Sequence, residues 1–418
     1  MRIAIHAYGT RGDVQPFVAL SVALLAAGHE VQLAGPAPYA PLAVARSVPF
    51  HCLPPEMLNL IETREGKEAI AEGGGFLAGF KLLKHVRPLM EDLLRREWEA
   101  ARDFAPDLIV YHPKSLASLH IAERLGCGAV LGSPLPISTP TSAFPSPVFP
   151  VRTLGPLNRL SHSLVVNGAD LLFAGTIARW RESCLKLPGR PARRPRPSMT
   201  LYAFSRHIVP APSDWPPDVH VTGAWFLDSP EWEMPSTLEA FIAGGEAPVY
   251  VGFGSMPGLD PEQLTEIVVS GLALAGRRGL LATGGGALSA SLPTSTTMHL
   301  DEFPHDRVLP LTAMALHHGG AGTTMACARA GIPAAICPFM GDQPFWALRM
   351  RNMGVAPAKL ARKHLSADRL ARAIDAMDDP KMRERATTLA NLVAQETGTA
   401  TAVRLLERLG QDLGRSLS

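Results

Sequence analysis

His317-His318-Gly319-Gly320-Ala321-Gly322-Thr323-Thr324 joins a short apolar run, Ala313-Met314-Ala315-Leu316, to Met325-Ala326-Cys327-Ala328-Arg329-Ala330. The first run predicts a strand. The second is compatible with a helix that Gly331 and Pro333 would end. Glycines at such a junction let backbone N–H groups come close to an anion, and the helix behind them points its positive end at the same spot. His317 and the two threonine hydroxyls add side-chain donors. The loop is not the GxGxxG of dinucleotide binders, nor a Walker loop, because no Gly-Lys-Ser/Thr follows. A diphosphate is the anion that suits this arrangement.

Outward from this loop the strand–helix alternation continues. Residues 248–253 predict a strand, 261–275 a helix, 279–283 a strand that runs into Gly284-Gly285-Gly286, and 334–336 another strand; the chain is helical from about 381. The first half has the same rhythm. A strand at 2–8 precedes the loop Gly9-Thr10-Arg11-Gly12-Asp13. A helix follows over roughly 15–27, with Pro16 in its first turn and Gly28 past its end. Strands at 30–34, 107–111 and 129–131 and a helix at 115–125 complete the pattern. Short strands alternating with helices imply parallel sheets covered on both faces, hence an α/β protein of two doubly wound halves facing each other across a cleft. In such sheets ligands sit beyond the carboxyl ends of the strands.

Two proline-rich stretches, 133–158 and 188–235, interrupt the pattern, and proline excludes both from a sheet interior. The expected division is a first domain over 1–205, a linker over 206–235, a second domain over 236–390, and a helix over 391–418 packing back on the first domain. Residues 54–80 lack clean periodicity and read equally as a mobile segment near a site or as a surface insertion.

The bulk properties exclude several classes. A chain of 418 residues is too long for one ordinary core. A net charge of +2 gives no reason to expect nucleic acid as a partner. The five cysteines are scattered, with no CxxC pair, which disfavours a disulfide framework or zinc site and favours a reducing compartment, by default the cytoplasm. The start does not read as a signal peptide, and no run of 18 apolar residues predicts a membrane span.

Several motifs together carry a resemblance. His317–Thr324, Gly331-Ile332-Pro333, Pro338 and Asp342-Gln343-Pro344-Phe345-Trp346 resemble the donor signature of family 1 UDP-glycosyltransferases. The likeness is greatest to sterol glucosyltransferases and to bacterial antibiotic and glycopeptide glycosyltransferases. Gly9–Pro16, Val221–Trp225 and Val249–Ser255 are similar to the same group, so the likeness runs along nearly the whole chain. It implies a GT-B fold, with two Rossmann-like domains. The nucleotide-sugar would lie mainly on the second domain and the acceptor on the first, and transfer would be inverting and metal-free.

By that resemblance Asp13 matches the catalytic base; the competing reading is that it caps the following helix. His317, Gly319, Gly320, Ala321, Gly322, Thr323 and Ser255 match the surroundings of the donor diphosphate. Asp342 and Gln343 match the pair that binds the sugar hydroxyls. Glu302, Phe303 and His305 match the stretch that holds base and ribose; Glu302 replaces the stacking Trp of plant relatives, which leaves uracil or thymine open. Thr10, Arg11, Gly12 and Trp346 are candidate donor or acceptor contacts. Trp346 and Trp225 read at least as well as packing residues.

No metal and no cofactor are expected: a UDP- or dTDP-sugar is a co-substrate, and the chain offers no DxD pair. The acceptor is expected to be a lipophilic hydroxyl compound. Met57, Leu58, Phe76, Phe80, Phe144 and Phe149 are the apolar residues of the segments expected to line its pocket. The oligomeric expectation is a monomer or weak homodimer. Arg190, Arg193, Arg194 and Arg196 form a basic cluster that reads either as a solvated linker or as a peripheral contact with anionic lipid. A two-Rossmann oxidoreductase is disfavoured by the missing GxGxxG. A silent sugar-nucleotide-binding protein and an epimerase of the same fold are the alternatives.

Overall fold

The computed structural model describes residues 1–58, 76–256, 260–290 and 294–417. Two parallel sheets form its frame. The first holds β1 (Arg2–His6), β2 (Glu30–Pro36), β3 (Phe50–Leu53), β4 (Leu108–Tyr111), β5 (Gly128–Ser133), β6 (Met199–Tyr202) and β7 (Val219–Val221) in the order β3-β2-β1-β4-β5-β6-β7. The second holds β8 (Val249–Gly252), β9 (Gly279–Ala282), β10 (Thr297–Leu300), β11 (Met314–His317) and β12 (Ala334–Ile336) in the order β10-β9-β8-β11-β12. Every strand pairing in both is parallel. This is the GT-B architecture.

The helices that bear on function are α1 (Arg11–Ala26), α2 (Phe76–Phe104), α3 (Ser118–Leu125), α4 (Asn158–Trp180), α5 (Pro261–Leu274), α6 (Ala321–Ala330), α7 (Gln343–Asn352) and α8 (Gly398–Leu417). On one face of the first sheet, Ile3, Ile5 and Val110 meet α1 and α8 through Phe17, Leu20, Ala402 and Leu406. On the other face, Ala4, Ile109 and Tyr111 meet α2, α3 and α4. In the second sheet Val249, Val251 and Leu316 pack on α5. A further core joins the two domains, bringing Phe144, Tyr202 and Phe204 against Met325, Phe345 and Trp346.

Three differences from the sequence reading have clear causes. First, α1 begins at Arg11 rather than about 15. The Thr10 N–H donates to Asp13 Oδ2 at 2.7 Å, so the two residues cap the helix a turn earlier. Second, the stretch 188–235 is not outside the sheet: β6 and β7 lie in it. Its prolines flank these strands rather than interrupt them, with Pro197 before β6 and Pro216-Pro217 before β7. The first sheet therefore continues to Val221, beyond the expected boundary at 205. Third, the end of the aperiodic segment is helix, because α2 starts at Phe76; residues 59–75 of that segment, and the side chains of Phe76 and Phe80, lie outside the described residues.

Candidate active site

Strand order locates the site. The first sheet changes winding direction between β1 and β4, and the second between β8 and β11. A parallel sheet opens a crevice at such switch points, beyond the carboxyl ends of the strands. Four loops therefore matter: 7–13 after β1, 112–117 after β4, 253–256 after β8 and 318–320 after β11.

In the first domain these loops meet on Asp13, which is largely buried. Its Oδ2 accepts from the Thr10 N–H, from Thr10 Oγ1 at 3.1 Å and from Lys114 Nζ at 2.8 Å. The buried His112 places Nε2 3.3 Å from Oδ1. His112 Nδ1 accepts the Lys114 N–H at 3.2 Å, so the ring proton sits on Nε2 and faces the carboxylate. Burial alone would raise the pKa of Asp13. The Lys114 charge and the hydrogen bonds from His112 and Lys114 outweigh it and hold the carboxyl well below its usual range. Neither His112 nor Lys114 drew notice in the sequence. The signal was there in Tyr111-His112-Pro113-Lys114, but it has meaning only once β4 is known to border β1. Thr10, Arg11 and Gly12 are exposed on the same loop.

Behind Lys114 lies a buried chain of polar groups. Ser115 Oγ donates to Glu97, Ser115 and Ser118 hydroxyls are 2.7 Å apart, and Ser118 Oγ is 2.8 Å from His6 Nδ1. It ties α2, α3 and β1 to the 112–118 loop.

In the second domain β11 delivers His317 into complete burial. Burial and the neighbouring His318 and His305 push its pKa well below the usual value, so the ring is neutral. Its Nδ1 accepts the Gly319 N–H at 3.0 Å, which puts the ring proton on Nε2. That N–H has no partner among the described residues. Gly319 takes φ +93°, and a Cβ there would lie 2.6 Å from Ile336 Cγ2. Gly320 caps α6, so the N–H groups of Ala321, Gly322 and Thr323 fall in its first turn, without helical acceptors. Next to this loop, the backbone of Gly254 touches that of Gly285: a Cβ on Gly285 would be 2.2 Å from the Gly254 carbonyl carbon. Ser255 is exposed beyond it. Four chain segments thus converge on one backbone-rich surface.

At the start of α7, Asp342 Oδ2 accepts from Trp346 Nε1 at 2.7 Å. Burial raises its pKa to about 6; the Trp346 bond lowers it, the Asp13 charge raises it, and Lys114 lowers it. Charges of the first domain thus act on a carboxyl of the second, across the cleft. Trp346 itself is fully buried, edge-on to Phe204 at 6.2 Å, and is a packing residue; the expectation of a ligand contact is corrected, because its only polar atom is spent on Asp342. Gln343 is also turned inward. Its Oε1 accepts from the N–H groups of Phe339 and Met340 at 2.6 and 3.0 Å, and Nε2 donates to Met256 Sδ. It braces the turn that leads into α7.

Glu302 is exposed and faces Arg11 of the first domain, carboxylate to guanidinium, at 3.8 Å. Phe303 packs edge-on against Tyr250, whose hydroxyl lies 3.3 Å from His305 Nε2. Burial, then the charges of Arg11 and His318, lower the His305 pKa to about 4. Among the acceptor-side candidates, Phe144 is buried and Phe149 half-buried beside a cavity of about 180 Å³ whose other wall is Phe345, Leu348 and Arg349. That volume is below the roughly 300–1,000 Å³ of a small-molecule site. Among the described residues no group of three or more His, Cys, Asp or Glu side chains is placed to hold a metal, and no helix is long and apolar enough to cross a membrane.

Comparison with known proteins agrees with this geometry. Residues 3–130 match the family described as Glycosyltransferase family 28 N-terminal domain, and residues 282–409 match Erythromycin biosynthesis protein CIII-like, C-terminal domain. Sterol 3-beta-glucosyltransferase UGT80A2 of Arabidopsis thaliana is 34% identical over 97% of this chain, which spans 65% of that relative's length. O-mycaminosyltylonolide 6-deoxyallosyltransferase of Streptomyces fradiae is 34% identical, with 97% of each chain covered. Among solved structures, the Streptomyces sp. SF2575 glycosyltransferase SsfS6, complexed with thymidine diphosphate, is similar at a TM-score of 0.64 with 21% identity, over 98% of this chain and 99% of that one. With two switch-point crevices facing each other, and a relative of 34% identity matched over 97% of both chains, the chain belongs to the glycosyltransferase family that includes the sterol and macrolide glycosyltransferases.

Proposed function

We propose that the protein transfers a hexose from a UDP- or dTDP-sugar to a hydroxyl of a lipophilic small molecule, such as a sterol-like or macrocyclic aglycone, with inversion and without a metal. The observation that carries this is the buried His317 Nε2–H, beside the first-turn amides of α6, none of them with a partner among the described residues. A buried donor left unpaired is costly, and an anion resolves it. In the proposed reaction the acceptor oxygen attacks the anomeric carbon in line as the bond to the diphosphate oxygen breaks. The hydroxyl proton passes to Asp13, and the nucleoside diphosphate leaves with the bonding electrons. His317 and the loop amides take up that charge in place of a metal. Asp342 accepts from the sugar hydroxyls, and the surface formed by Phe303, His305 and Glu302 carries the base and ribose. One displacement gives inversion.

Asp13 begins this cycle quenched by four hydrogen-bond donors, so the acceptor hydroxyl must take the place of Lys114 on Oδ2 before the carboxylate can act. The same quenching is what favours a second reading, a sugar-nucleotide binder without turnover. A panel of UDP- and dTDP-sugars against sterols, macrocyclic aglycones and phenolics, read as released nucleotide and mass of product, separates the two. Asp13→Asn is expected to slow transfer by about 10²–10⁴-fold while nucleotide binding persists. Turnover equal to the wild type would remove Asp13 as the base. Nucleotide binding with no product from any acceptor would leave the silent binder.

A further inference from the structure

The helix α4 is apolar on two sides. Inward, Phe173, Ile177 and Trp180 pack in the core beneath α2. Outward, Leu160, Leu164 and Leu171 are each more than half exposed, with Leu171 at 80%, and Leu157 continues the row just before the helix. The spacing Leu157, Leu160, Leu164, Gly168, Leu171 follows steps of three and four, which draws a single stripe along a helix. Burial drives apolar side chains inward, so an uncovered stripe of this length marks a contact surface.

The charges beside the stripe identify what covers it. The segment after α4 doubles back along the helix. Arg181 Nε holds the Pro188 carbonyl at 2.8 Å, and Arg194 Nη2 reaches Asp170 at 2.6 Å. Asp170 is the only acid on α4, and Arg194 cancels it. Arg190, Arg193 and Arg196 on that segment, and Arg152 ahead of the helix, are exposed and form no ion pair among the described residues. A leucine stripe edged by free arginines is the chemistry of a helix lying in the plane of an anionic bilayer surface. A second copy of this chain packed on the same stripe would bring two sets of unpaired arginines together, which like-charge repulsion disfavours.

We infer that the outer face of α4, together with the arginines of 190–196, docks the protein on an anionic lipid surface. The leucines enter the boundary between headgroups and acyl chains, and the arginines pair with phosphates. Docking requires nothing of Asp13 or His317 and holds whether or not the proposed transfer does.

The test is co-sedimentation of the full chain with vesicles of equal parts phosphatidylserine and phosphatidylcholine, against vesicles of phosphatidylcholine alone. The intact protein is expected to pellet with the first and far less with the second. Leu164→Asp with Leu171→Asp should abolish pelleting while thermal melting and nucleotide binding stay as in the wild type, since both side chains are on the surface. Arg190→Gln, Arg193→Gln and Arg196→Gln together should weaken partitioning by about a hundredfold. Failure of the intact protein to bind anionic vesicles overturns the inference, as does binding that survives the leucine changes. Light scattering that shows a dimer split by the leucine changes, with no vesicle binding, would assign the stripe to self-association instead.

Discussion

Asp13 shows how a single position can be legible in kind but not in state. Its place after the first strand was readable, because a loop at the carboxyl end of β1 opens on a crevice wherever β1 borders a switch point. Its ionisation was not, because that depends on His112 and Lys114, about 100 residues away in sequence. Lys114 holds the Asp13 pKa down, so its removal should raise it. A base works above its own pKa; the acid limb of the kcat/KM profile should therefore move to higher pH in Lys114→Ala. An unmoved limb would show that Lys114 does not govern the group that limits the rate. Asp342 is the opposite case, raised from 3.8 to about 6 by burial. Its folded form binds the proton more tightly than the unfolded chain does, so its contribution to stability is present below about pH 4 and is lost as pH rises through 6. Asp342→Asn should therefore raise the melting temperature at pH 8 and leave it little changed at pH 4. Equal shifts at both pH values would contradict the assignment. Trp346 marks a limit of reading by residue type: an indole in a motif carries no sign of which way it points, and here the partner of its N–H, Asp342, accounts for it fully.

At the scale of elements, the junction from β11 to α6 was the most legible part of the chain. Each of its residues has a local reason to be there, from the burial of His317 to the positive φ of Gly319. The two glycines on either side of the helix start should respond differently to a methyl group. Gly319→Ala meets both the positive φ and Ile336, and should cost about 1–3 kcal/mol with a fall in melting temperature. A Cβ at Gly322 meets no atom within 4 Å beyond its own helical turn, so Gly322→Ala should melt at or above the wild-type temperature. If the first turn of α6 holds the diphosphate, that variant should nonetheless bind UDP or dTDP more weakly, as read by calorimetry; unchanged affinity would move the anion off this turn. Strands β6 and β7 were hidden because four-residue and three-residue strands between prolines have too little length to show a period. α1 starts early because Asp13 closes a capping box with Thr10, a role that the carboxylate holds together with its place at the crevice.

The two doubly wound halves were legible from alternation alone, but their contact was not. Glu302 and Arg11 face each other at 3.8 Å with both side chains well exposed, and a pair of that kind is worth at most about 1 kcal/mol. The apolar junction of Phe144, Tyr202 and Phe204 with Phe345 and Trp346 has more to lose, since these rings are buried. Side-chain packing between elements more than 100 residues apart leaves no periodic trace in either. A shared core couples the halves, and a single calorimetric transition is expected for the whole chain; two well-separated endotherms would mean that the halves melt independently.

The helix α8 is part of the first domain's core although it follows the second domain in the chain. Leu406 and Ala402 pack among the residues of β1 and α1, and a Cβ at Gly410 would strike Met1 Sδ at 2.1 Å. A ribosome makes the chain in order, so β1 and α1 emerge nearly 400 residues before the helix that covers them. Until then the apolar face of α1 stands open to water. The first domain is begun before the second and completed after it, and during synthesis that face is where a chaperone, or a neighbouring nascent chain, has a long time to bind.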